Sequence, residues 1–82
     1  MDVHELRAAL RAAGVPDGYY WIEGVHEPAP TPPDFAYLRK DRDGAWETGT
    51  YERGQHHALG RDTDEAEGCA RLLRLLSGRS LP

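Results

Sequence analysis

The segment FAYLRKDRDGAWETGTY at residues 35–51 decides the fold. It opens with Phe35, Tyr37 and Arg39 alternating against Ala36, Leu38 and Lys40. That period of two puts successive side chains on opposite faces of a strand. Asp41-Arg42-Asp43-Gly44 follows and reads as a hairpin turn, with Gly44 free to take a positive φ. Residues 45–51 form the returning strand. A second turn, Glu52-Arg53-Gly54-Gln55, leads into a weaker strand over residues 55–61. Upstream, Tyr19-Tyr20-Trp21-Ile22-Glu23 lies between Gly18 and Gly24 and is rich in the aromatic and branched residues that strands favour.

Helices are expected on either side of these strands. Residues 2–13 place Val3, Leu6, Leu10 and Ala13 at helical spacing, with Ala8, Ala9 and Ala12 raising the propensity. Asp2 and Glu5 come before Arg7 and Arg11, as the helix dipole prefers. Gly14 supplies a stop and Pro16 forbids continuation. A second helix starts near Asp62-Thr63-Asp64-Glu65, with Asp62 or Thr63 as its cap. Ala66, Cys69, Ala70, Leu73 and Leu76 make its apolar stripe, with Leu72 and Leu75 beside it. Gly78 ends that helix and residues 79–82 are a frayed tail. Residues 1–78 therefore read as a single α+β domain in the order α-β-β-β-β-α. It is a helix, a three- to four-stranded antiparallel meander and a C-terminal helix, with both helices on one sheet face. There is no internal repeat.

Between the first two strands, residues 27–34 carry four prolines in eight positions. Such a stretch cannot donate a sheet ladder and is expected as an extended arm crossing the surface. In the first strand Tyr19 and Trp21 point one way and Tyr20 and Ile22 the other, so both faces are bulky. Two short helices cover one face only. The other is left for a partner, a second copy or the proline arm.

Charge points to the same region. The 82 residues sum to −4, and residues 15–34 account for all of it: Asp17, Glu23, Glu27 and Asp34, with no Lys or Arg. An acidic domain repels phosphate backbones, which disfavours nucleic acid and suits docking to a basic protein surface. The single cysteine, Cys69, precludes an internal disulfide and fits the reducing cytoplasm. The first residues lack the basic and apolar regions of a signal peptide, and no apolar run approaches the ~20 residues of a membrane span.

Several constellations suggest chemistry. His56 and His57 are adjacent on a strand, point to opposite faces and cannot chelate one ion. Asp41, Asp43 and Glu52 have a calcium-loop spacing, yet Ala45 and Trp46 stand where that loop needs a ligand and a glycine. Cys69 falls on the apolar stripe, as an inert buried thiol would. Pro30-Thr31-Pro32-Pro33 has P-x-x-P spacing, which also suits a stiff crossover. No nucleophile elbow or phosphate loop occurs, so no catalytic residue, metal site or cofactor is expected.

The helix–sheet–helix order superficially resembles a double-stranded RNA-binding domain. Here Asp62, Asp64, Glu65 and Glu67 replace the lysines that would clamp phosphate, and that function is rejected. Pro16-Asp17-Gly18-Tyr19-Tyr20-Trp21-Ile22-Glu23-Gly24, and Arg61-x-Thr63-Asp64-Glu65-Ala66 leading to Leu72-Leu73, resemble small actinobacterial immunity proteins of polymorphic toxin systems. The resemblance implies a non-enzymatic toxin inhibitor and carries over no functional residue. The expected function is protein binding through Tyr19, Trp21, Glu23, Glu27, Asp34, Tyr37 and Trp46. A homo-oligomeric structural or regulatory domain, or a small-ligand-binding protein, is the alternative.

Overall fold

The computed structural model describes residues 1–77. The expected end of the second helix at Gly78 and the tail at 79–82 lie outside the described residues. Helix α1, Val3–Ala12, begins with a reciprocal capping box: Asp2 accepts from the Glu5 amide and Glu5 from the Asp2 amide. A one-turn 3-10 helix, Asp17–Tyr19, enters the short strand β1, Tyr20–Ile22. Strands β2 (Asp34–Lys40), β3 (Trp46–Glu52) and β4 (Gln55–Asp62) follow, then helix α2, Glu65–Ser77. The order is α-β-β-β-β-α, an α+β fold around a four-stranded sheet β1-β2-β3-β4.

Strands β2, β3 and β4 form the expected antiparallel meander, but β1 pairs with β2 in parallel. The reason is the proline-rich connection. Parallel neighbours need a crossover of about a dozen residues rather than a tight turn. Residues 23–33 carry the chain back to the start of β1 before β2 begins. His26 anchors that crossover, exchanging backbone hydrogen bonds of 2.9 Å with Ile22 and packing 4.7 Å from the Tyr20 ring.

Two turns set the register of the meander. Asp41 closes the first: its carboxylate accepts from the Asp43 and Ala45 amides, and its own amide donates to Ala45 O. Every β2–β3 pair then follows, Phe35 opposite Tyr51 and Arg39 opposite Glu47. The second is a two-residue loop in which Arg53 and Gly54 both have positive φ, 52° and 82°. This matches the twist of antiparallel strands. It sets Tyr51 opposite His56 and Thr50 opposite His57. A bulge at Thr48/Gly49 lets Leu59 slip out of register. Asp62 ends β4 rather than capping α2, and its carboxylate takes two hydrogen bonds from Arg71, at 2.9 and 3.1 Å.

Both helices cover the same sheet face. Leu6 and Leu10 of α1 and Cys69, Leu72 and Leu76 of α2 pack with Tyr20, Ile22, Ala36 and Leu38 in one core. Burying each large apolar side chain contributes about 1.5–3 kcal/mol. Glu65 joins the helices: its carboxylate accepts from the Val3 amide, satisfying an orphan donor in the first turn of α1.

Two substitutions test this reading. A Cβ at Gly49 would fall 2.3 Å from the His57 carbonyl and 2.7 Å from the Tyr37 hydroxyl, so Gly49→Ala is expected to destabilise. Overpacking of this kind costs about 2 kcal/mol, read as a lower urea midpoint. Arg53→Asn should add about 0.5 kcal/mol, because asparagine tolerates the left-handed region that costs other residues about 1–2 kcal/mol. A lowered melting temperature for Arg53→Asn contradicts the assigned turn.

Candidate functional site

The sheet face away from the helices holds the chemistry. On β2 the even residues Ala36 and Leu38 enter the core, which leaves Phe35, Tyr37 and Arg39 on the far side. The register then assembles a ribbon with one ring per strand. Trp21 on β1 stacks on Phe35 of β2 at 5.4 Å, and Phe35 stacks on Tyr51 of β3 at 4.7 Å. Tyr51 meets His56 of β4 edge-on at 4.8 Å, and His56 returns to Tyr37 at 4.9 Å. Such ring pairs add about 0.5–1.5 kcal/mol each beyond their buried area.

A polar lock holds the ribbon in place. Glu47 Oε2 accepts from the Tyr37 hydroxyl and from Arg39, whose Nη2 lies 3.0 Å away and Nε 3.2 Å. The Arg39 guanidinium also sits 5.1 Å from the Tyr37 ring centroid. Burial pushes the Tyr37 hydroxyl well above the usual tyrosine range, and its hydrogen bond to Glu47 adds to the rise. Burial lowers His56 below the usual imidazole value, and the positive charge of Arg39 lowers it further against Glu47. Both effects favour the neutral imidazole, which presents a flat aromatic surface.

Between the ribbon and the proline arm lies a cleft of about 270 Å³, whose walls include Glu23, Thr31 and Arg39. A larger cavity of about 490 Å³ lies at the end of the sheet, touching Phe35 and Tyr51 but lined also by Ala36, Thr50 and Leu76 of the helix side, with Tyr19, Asp34 and Glu52. Asp34 and Glu52 face each other directly in the β2–β3 register, an unfavourable pairing of like charges.

The expected binding residues thus separate. Trp21, Glu23 and Tyr37 meet at the cleft, and Tyr19 and Asp34 at the larger cavity. Tyr37 is only 1% exposed, so it supports the surface from beneath. Trp46 belongs elsewhere: it lies half-buried on the helix-covered face against the core, with Lys40 over its ring at 5.6 Å. Its register partner is Lys40, so it takes the parity of Ala36 and Leu38 rather than that of Tyr37.

Nor do the four acids of residues 15–34 form one ridge. Asp17 lies 3.7 Å from Arg7, and Glu27 turns back to accept from the Gly24 amide at 2.7 Å. Glu23 Oε1 meets the Lys40 amide at 3.3 Å and stays exposed, as does Asp34. Glu23 therefore flanks the ribbon, whereas Asp34, with the parity of Ala36 and Leu38, lies on the helix side of the sheet end. Phe35, Arg39, Glu47, Tyr51 and His56 were not among the residues expected at a site. Strand parity together with the two turns carries the signal that places them.

His56 and His57 do diverge: His56 joins the ribbon, and His57 pairs with Thr50 on the other face. Cys69 is fully buried, and burial followed by the charge of Glu65 raises its thiol to about 11. Among the described residues no group of three or more His, Cys, Asp and Glu is placed to hold a metal ion, and no helix is long and apolar enough to cross a membrane. Comparison with family models, curated proteins and solved structures returned no match.

The raised Tyr37 hydroxyl has a testable sign. A group whose folded pKa exceeds its unfolded value contributes stability that is complete below the unfolded value, about pH 10 for tyrosine, and that fades as pH climbs beyond it. Urea midpoints of the native chain should therefore fall more steeply above about pH 10 than those of Tyr37→Phe. Tyr20, also raised by burial, contributes equally to both chains. Parallel alkaline limbs would show that the Tyr37 hydroxyl titrates as in water.

Proposed function

We propose that this chain is a non-enzymatic binding module whose helix-free sheet face docks a partner protein bearing a basic segment. One observation carries the reading: a ribbon of packed rings, Trp21, Phe35, Tyr51 and His56, crosses the face that, among the described residues, no helix covers. Aromatic side chains supply large contact area at low entropic cost and anchor protein interfaces. Exposed Glu23 lines the cleft beside the ribbon and gives it an acidic rim. That rim favours basic side chains and speeds their encounter. The net charge of −4 opposes a nucleic acid on the same rings.

The specific form proposed is an immunity-type inhibitor that occludes a basic cleft of a toxin, acting in the cytoplasm. The free, buried thiol of Cys69 is consistent with a reducing compartment.

Immobilised chain should capture a partner of high isoelectric point from its host. Trp21→Ala/Tyr51→Ala is expected to weaken that capture at least about tenfold, the equivalent of ~1.4 kcal/mol. Glu23→Ala should weaken it at low salt and matter less at high salt. Trp46→Phe, on the covered face, should leave it intact. An identical partner list for the ribbon double variant and the native chain rules out the face as the docking surface.

A further inference from the structure

The two edges of the sheet are treated differently. At the β1 edge the strand is three residues long, and His26 already takes the outward amide and carbonyl of Ile22. At the other edge β4 runs for eight residues. Among the described residues, no element other than β3 hydrogen-bonds to the backbone of residues 55–60. Folded proteins blunt such an edge with lysine, proline, short length or a covering segment. The run Gln55-His56-His57-Ala58-Leu59-Gly60 contains no Lys, Arg, Asp, Glu or Pro. Among the described residues, Arg71 packs against Gly60 at one end, and along the rest the bulge frees Leu59, whose side chain stands 56% exposed.

We propose that β4 pairs antiparallel with β4 of a second copy across a two-fold axis, making one continuous eight-stranded sheet. The charges at its ends select a copy of the same chain. Arg61 is matched by Asp41 and Asp43, and Asp62 by Arg71. The exposed charges left at the two ends are Arg53 in the turn before β4 and Asp64 just beyond it. Glu52 belongs to β3, one strand in from the edge, and faces Asp34. Antiparallel self-pairing centred near Ala58 sets Arg53 of each copy beside Asp64 of the other. With the axis between Ala58 and Leu59, residues 57–60 of one copy lie against residues 57–60 of the other, while Arg61 and Asp62 keep their own partners and meet His56 and Gln55. An isologous contact of this kind closes at two copies, so it ends the edge instead of propagating it. Both ribbons then lie on the same side of the joined sheet, and His56 is the ring of each nearest the axis. The dimer does not depend on the proposed partner.

Sedimentation of the purified chain from about 5 to about 200 µM tests it, because a dimer must respond to concentration. The expected mass is 18.4 kDa, twice the 9.2 kDa of one chain. His57→Lys/Leu59→Lys places like charges across the axis at exposed positions and should halve the mass without changing the circular dichroism spectrum. Trp21→Ala should leave the mass at the dimer value. A native chain that stays at 9.2 kDa throughout overturns the proposal. So does a dimer that survives the lysine pair, and so does one that Trp21→Ala dissolves, since the ribbon face would then be the contact. None of these outcomes bears on partner capture by the ribbon, so the two readings fail separately.

Discussion

Strand β2 must be buried on both sides in a protein that has helices on only one. Phe35, Ala36, Tyr37 and Leu38 are consecutive and all less than a tenth exposed. Helices α1 and α2 cover Ala36 and Leu38. Nothing of the kind covers Phe35 and Tyr37, so the sheet roofs them with its own side chains. Phe35 lies between the rings of Trp21 and Tyr51, and Tyr37 lies against His56 and beneath Arg39. A buried phenol also needs a hydrogen-bond partner, and Glu47 supplies it. Glu47 is in turn neutralised by Arg39. The ribbon is thus first a solution to a burial problem.

That origin also bears on the recognition proposed for this surface. Rings held by stacking and by a shared carboxylate lose little freedom when a partner arrives, so less of the contact energy is spent on ordering them. Glu23, the carboxylate left exposed on this face, sits at its margin, where water still reaches it. Core and proposed docking surface therefore share β2: its even residues hold the fold together and its odd residues carry the ribbon face. Changes in the odd set are expected to disturb stability and the proposed binding together, whereas Trp21 and Tyr51, half-buried at the periphery, allow the two to be separated.

Three expectations changed for identifiable reasons. The first strand pairs in parallel because its connection is long and stiff, and a stiff crossover returns the chain to its starting end. Trp46 left the candidate site because parity, counted from the turn at Asp41, puts it with Leu38 and Lys40. The acidic stretch divided because Asp17 and Glu27 are used locally, one beside Arg7 and one in its own turn. In each case a short-range count of residue types was overruled by where the backbone aims them.

The sequence by itself determined the elements, their order and, through the two turns, the pairing of β2 with β3 and the start of β3 with β4. These are local matters: helical and strand periods, a capping box at Asp2, an Asx turn at Asp41 and a positive-φ pair at Arg53-Gly54 each act within a few residues. Alternation also showed that Tyr20 and Ile22 face away from Trp21. Tertiary structure alone decided the direction of β1, the bulge at Leu59 and which sheet face the helices take. Those depend on which apolar face, Ala36 with Leu38 or Phe35 with Tyr37, buries better against α1 and α2. That comparison is between whole surfaces in contact, and no window of the chain contains both sides of it.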